Sequence, residues 1–220
     1  SFGFLAEDDA AAAIVYAVDN GARVLNLSFG DIVHSPVLED AVRYALDRGA
    51  VVVAAAGNEG NSQPFYPAGV SGVLAVGASD RDGRRASFST FGPAVTLLAP
   101  GASLFTTDLA GGYGPKSGTS LASPVVAGAA ALLLAVHPDW TAEQIVARLR
   151  NTAEVPGDGA NARGARRLRI DLAAGADGSA GGGPAEARFL GLDDDDTVDG
   201  TVHLVGRAAG RGVRGWRVSV

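Results

Sequence analysis

Two side chains in this sequence could do chemistry together: the hydroxyl of Ser120 and the carboxamide of Asn58. Ser120 lies in SGTSLASP (117–124), among small residues just before Pro124 opens an apolar run. A hydroxyl at a helix N-terminus meets the positive end of the dipole, and the first free N–H groups there face any anion that forms. The same position suits an ordinary N-cap, and Thr119 or Ser123 would cap equally well. Asn58 stands where the greasy segment VVVAAAGNEG (51–60) stops. Acyl transfer needs a nucleophile and donors aimed at the developing oxyanion, and the Asn58 amide with the Ser120 backbone N–H could supply that pair.

The flanking elements must bring these residues together. Asp8 or Asp9 caps a helix through AAAAIVYAVDN that Gly21 stops, and 23–29 (RVLNLSF) reads as a strand. Residues 37–48 carry helical spacing and end at Gly49, while 51–56 and 73–76 are apolar strands. A strand, a crossover helix and another apolar strand imply βαβ units and a parallel sheet covered on both faces. In such sheets sites form beyond the carboxyl ends of the strands, which is where Asn58 lies. From Phe65 onward Gly, Pro and Ser dominate, with β-like pieces at 84–90 and 95–101. Pro124 suits the first turn of a helix whose stretch 125–136 has no polar side chain, so burial on all sides is expected. A capping box at Thr141, closed by Gln144 or less ideally by Glu143, begins a further helix to about Asn151.

The 220 residues are 47% apolar and 19% charged, with a net charge of −6, which excludes a basic surface for nucleic acid or anionic membrane. Cysteine is absent, so disulfides and thiolate metal sites are excluded. Methionine is absent too, and no leader-like ramp opens the chain, so a piece of a longer protein is expected. The apolar run 125–136 is too short to span a bilayer.

Six segments carry a resemblance to the subtilases, the subtilisin-like serine peptidases. They are NLSFG (26–30), VVVAAAGNEG (51–60), the Tyr66-Pro67 pair, AVGASDRDGRRASFSTFGP (75–93), LLAPG (97–101) and GTSLASPVVAGAAALLL (118–134). The resemblance covers about residues 10–172 and implies an α/β, mainly parallel, helix-flanked sheet. It implies endopeptidase action with Ser120 as the acyl-accepting nucleophile and Asn58 as the oxyanion-hole side chain. Ser28, Phe29 and Gly30 would pair as an edge strand with an extended peptide. Ala55, Ala56 and Gly57 would line the primary specificity pocket, with Glu59 near its floor. Those small wall residues allow a large apolar group before the scissile bond. The resemblance also implies a Tyr66–Pro67 bond that is often cis, secretion, a polypeptide substrate, a monomer and no required cofactor, with calcium possible for stability.

The family's catalytic Asp and His motifs, Asp-Ser/Thr-Gly and His-Gly-Thr, do not occur in this sequence. His34, His137 and His203 all read as structural, so the chain by itself is expected to be inactive for want of a base. Residues 1–174 read as a partial peptidase domain, 175–185 as a Gly/Ala-rich linker and 186–220 as an incomplete module of antiparallel strands, similar to the start of the Ig-like repeats that follow some subtilases. Two other readings compete. One is an α/β-hydrolase order of Ser120, Asp171 and His203, although GTSLA lacks the G-x-S-x-G elbow. The other is a subtilase-like pseudoenzyme that binds without cleaving. The acidic run 193–196 with Asp199 could bind calcium but matches no EF-hand spacing, and no metal ligands are assigned.

Overall fold

The computed structural model describes residues 5–108, 111–156 and 165–175, together with the strand pair 186–190 and 205–209. Five strands form one parallel sheet: β1 (Val24–Leu27), β2 (Val51–Ala55), β3 (Leu74–Ser79), β4 (Leu97–Pro100) and β7 (Arg166–Arg167), in that spatial order. Every pairing is parallel, in registers such as Leu27 with Ala54 and Val76 with Leu97. Helices cover both faces, so β2 and β3 are buried along their whole length and read as continuous apolar runs rather than alternating ones.

Alternate residues of each strand serve different layers. Val51, Val53, Leu74 and Val76 face α3 (Thr119–Val136) and α4 (Ala142–Thr152), while Val52, Ala54 and Ala75 face α1 (Glu7–Asp19) and α2 (Pro36–Asp47). The α3 side is close-packed around Leu133, Ile145 and Leu149, each fully buried. Truncating Leu133 to alanine there costs about 2–5 kcal/mol through lost burial and the cavity left behind.

Several sequence expectations are corrected. Asp8 and Asp9 do not cap α1; the cap is Ala6, and both carboxylates lie in the first turn, complementing the dipole. The 84–90 piece is a turn stitched by side chains: Arg85 donates to the Ser89 carbonyl at 2.6 Å, and Ser89 Oγ accepts from Ala78 N at 2.9 Å. An unanticipated antiparallel hairpin, β5 (Leu104–Asp108) and β6 (Gly112–Lys116), precedes α3, with Phe105 and Tyr113 stacked and exposed.

Helix α3 differs most from expectation. It starts at Thr119, five residues before Pro124, because buried contacts of Thr119 hold a first turn that the small polar residues would not hold alone. Nor is it buried all round: Val125, Leu132 and Val136 are exposed on the side away from the sheet. Its 18 residues, at a mean hydropathy of 1.9, are long and apolar enough by length and composition to cross a membrane, longer than the 12-residue run alone suggested. Its inner face packs on the sheet, as a core helix does. In α4 the capping box is complete, closed by Gln144 rather than Glu143. Among the described residues, β8 (Glu186–Leu190) and β9 (Val205–Ala209) pair antiparallel, while Thr201–Leu204 of the alternating run and the acidic run lie outside them.

Candidate active site

Ser120 is the second residue of α3, so it is not the N-cap; that position is Gly118, which makes no side-chain cap bond. The Ser120 hydroxyl instead donates to the Ser28 carbonyl at 3.1 Å, and the Ser28 hydroxyl donates back to the Ser120 carbonyl at 2.9 Å. Strand β1 brings Ser28 to this point, one residue beyond its carboxyl end. Behind the pair runs a polar chain. The fully buried Ser123 hydroxyl donates to Asn26 Oδ1 at 2.7 Å, and Asn26 Nδ2 donates to Ser28 Oγ at 2.9 Å.

Asn58 follows Gly57, whose φ of 102° lies in the left-handed region that favours glycine and turns the chain sharply after β2. Its Oδ1 accepts from the Thr119 N–H at 2.8 Å and from the Thr119 hydroxyl at 3.1 Å. That hydroxyl also accepts from Gly57 N at 3.2 Å, so one fully buried threonine locks both the turn and the amide. With two donors on Oδ1, the amide orientation is determined and Nδ2 is left for another partner. Neither Asn58 Nδ2 nor the Ser120 N–H makes a hydrogen bond among the described residues. A side-chain carbon placed on Gly118 would lie 3.8 Å from both nitrogens, so the two donors flank one small space beside the hydroxyl. Such a space suits an oxygen that gains negative charge during reaction.

The two described histidines, His34 and His137, make no hydrogen bond to this cluster. His34 pairs with Glu39 and stacks edge-on against Tyr66, and Glu39 is held below the usual carboxylate range first by that His34 bond and then by Arg43. His137 caps the far end of α3, stacked on Trp140 at 3.9 Å, some 25 Å from Ser120 at 1.5 Å per residue. His203 lies outside the described residues. Asp171 is gripped by Arg169 at 2.6 and 2.9 Å, which holds its carboxyl at about 2. It is thereby engaged elsewhere, against the hydrolase-like order. Among the described residues no cluster of three or more His, Asp or Glu could hold a metal ion.

The remaining candidates fall into two rails leading away from the hydroxyl. Ser28, Phe29 and Gly30 continue from β1; Ala55 ends β2 and Ala56 and Gly57 follow it, all three buried, with Glu59 exposed beyond them. Three residues of this cluster lacked a role in the sequence reading. Thr119 and Ser123 entered it only as caps and Asn26 only as part of a matched segment, although a buried hydroxyl or amide beside a nucleophile needs a partner and so signals a network.

Residues 3–191 match the model of the subtilase family. The thermophilic serine proteinase of Bacillus sp. (strain AK1) is 54% identical over 125 residues, 57% of this chain and 31% of that protein. Thermitase of Thermoactinomyces vulgaris is 45% identical over 144 residues, 66% of this chain and 51% of its own length. Among solved structures, the prenylagaramide maturation protease PagA superposes with a TM-score of 0.72 at 31% identity, covering 79% of this chain and 68% of that one. A cold-adapted subtilisin-like serine proteinase gives 0.71 at 31% identity, covering 76% and 63%. The chain thus spans about a third to a half of the length of these curated relatives.

Proposed function

This chain belongs to the subtilase family of serine peptidases, and from that premise we propose that it carries the nucleophile and oxyanion donors of an endopeptidase. Ser120 attacks the scissile carbonyl, and Asn58 Nδ2 with the Ser120 N–H receives the oxyanion. The observation that supports this most is the pair of unoccupied donors flanking the space beside the Ser120 hydroxyl. An oxyanion hole lowers the barrier only if its donors are in place before charge develops, and the two Thr119 bonds give Asn58 that preorganisation.

A hydroxyl needs a base to become a nucleophile. Here it donates to a backbone carbonyl, and among the described residues no histidine or carboxylate bonds it. Because the sequence holds neither His-Gly-Thr nor Asp-Ser/Thr-Gly, the general base and its orienting carboxylate are expected from sequence beyond these 220 residues, and the chain alone is expected to be inactive. In the assembled site the base takes the proton now given to Ser28 O, Ser120 Oγ bonds the substrate carbonyl carbon, and the same proton passes to the departing amine.

Ser28, Phe29 and Gly30 bind the substrate backbone as an added strand, and Ala55, Ala56, Gly57 and Glu59 border the adjoining pocket. The substrate is polypeptide rather than nucleic acid, the protein is a secreted monomer, and α3 serves as a core helix. No cofactor is required, with calcium possible for stability. Residues 175–185 act as a linker to an Ig-like module begun by 186–220.

The test compares this chain with the longer polypeptide that carries it. The longer form should cleave an unfolded protein and react with a fluorophosphonate at Ser120, and Ser120→Ala should abolish both; the chain alone should do neither. Proteolysis surviving Ser120→Ala would overturn the assignment. A complete coding frame without His-Gly-Thr and Asp-Ser/Thr-Gly would move the reading to a binding pseudoenzyme.

A further inference from the structure

We propose that Phe65 sets the specificity of this site: its ring fills the space between the two substrate rails and restricts the residue before the scissile bond to glycine, alanine or serine. The inference rests on the peptidase reading above and names its substrate class. The two rails, 28–30 and 55–57, run from the reacting hydroxyl, and each ends in a glycine. A methyl group added at Gly30 would sit 2.5 and 2.9 Å from Cε1 and Cδ1 of Phe65. A methyl group added at Gly57 would sit 3.0 and 3.1 Å from Cγ and Cδ2 of the same ring. The two glycines therefore meet different edges of one aromatic ring, which bridges the gap between the rails.

The ring is not free to withdraw with its backbone. Tyr66 N donates to Asp31 O at 2.7 Å and Asp31 N to Tyr66 O at 2.9 Å, an antiparallel bridge that ties this segment to the first rail. Gly69 N donates to the Phe65 carbonyl at 2.9 Å, closing a turn behind it. The ring is half-buried and supplies an apolar surface where the small residues Ala55, Ala56 and Gly57 alone would leave room. A phenylalanine occupies the volume that a large substrate side chain would need, so a bulky group at that position meets ring carbon instead of space.

The experiment uses the full-length protease and peptides that differ only before the scissile bond. Since a single methylene changes kcat/KM by about 10- to 200-fold in an apolar pocket, alanine should exceed phenylalanine by about 100-fold or more. Phe65→Ala should shrink or reverse that ratio, and Phe65→Leu, which keeps an apolar filling and protects the fold, should move it the same way by less. Product peptides ending in alanine or phenylalanine are also titrated into the Ser120→Ala protein, where the same order of affinities and the same reversal are expected. Equal or better cleavage after phenylalanine by the unmodified protein, or a ratio indifferent to Phe65, would sink the pocket assignment. The affinity order without any turnover would sink the peptidase reading and leave the pocket standing.

Discussion

Pro124 stands four residues after Ser120 in α3, and the amide hydrogen it lacks is the one that would have bonded the Ser120 carbonyl. That carbonyl accepts the Ser28 hydroxyl at 2.9 Å instead, while the Ser120 hydroxyl reaches back to Ser28 O. A helix defect thus makes room for a tie between the Ser120 backbone and the chain leaving β1 at Ser28. Pro124→Ala restores a competing donor inside the helix. The expected outcome is a turnover lowered several-fold with the melting temperature unchanged or raised, measured on the full-length protease; a proportional rise in turnover would contradict it.

Asn58→Leu removes the proposed side-chain oxyanion donor and, with Oδ1, the acceptor of two Thr119 bonds. Turnover should fall by about 10²- to 10³-fold with KM nearly unchanged, a magnitude borrowed from the known loss of such an amide in a subtilisin. A change confined to KM would mean that Asn58 binds the ground state only.

Gly118→Ala offers a separate test of the same space. The added methyl meets nothing closer than 3.8 Å, and the backbone there is extended, so the fold should tolerate it. It would nevertheless sit between Asn58 Nδ2 and the Ser120 N–H. Thermal stability close to the parent's, together with a turnover loss of at least tenfold, is expected; full activity would show that the oxyanion goes elsewhere.

Thr119→Val keeps the shape but deletes the hydroxyl that serves Gly57 N and Asn58 Oδ1. Leaving the buried Gly57 N–H unpaired costs about 1–3 kcal/mol of stability. Turnover should fall as well, since Asn58 keeps only its bond from Thr119 N. Denaturant unfolding and kcat together check this, and an effect on stability alone would show that one tether suffices.

Acid should weaken the protein through its exposed ion pairs. The Arg169 guanidinium first of all, then the Leu172 backbone N–H, hold Asp171 at about 2, below its ordinary 3.8. A carboxyl lowered in the folded state contributes stability above its unfolded pKa and loses it as pH falls through the folded one. The loss should therefore run from about 3.8 down to about 2, with Glu154, lowered chiefly by Arg167, adding in the same direction. The pairs are exposed, so salt should blunt the effect. Arg169→Gln should flatten the melting-temperature profile in that window, and an unchanged profile would remove Asp171 from the account.

Much of this molecule is legible locally. The run 51–55 announces a doubly covered strand because burial on both faces erases alternation, and Gly21 and Gly49 mark helix ends because both adopt positive φ. The matched segments around Asn58 and Ser120 point to acyl transfer before any coordinates. Less was legible where small polar residues carry the chain. Ser117 to Ser120 have weak helix propensity, so the start of α3 reads as loop, and the hairpin 104–116 has no strong alternation.

The sequence by itself determined the family, the parallel α/β architecture and the two residue types that could handle an acyl group, because these rest on composition, periodicity and contiguous segments. Tertiary structure alone decided how they meet. Ser28 and Ser120 are 92 residues apart, Asn58 and Thr119 are 61 apart, and Phe65 reaches two glycines that follow different strands. Such contacts arise when separate strand ends converge at one edge of a sheet, and no local pattern in the chain encodes which side chain will fill the gap between them.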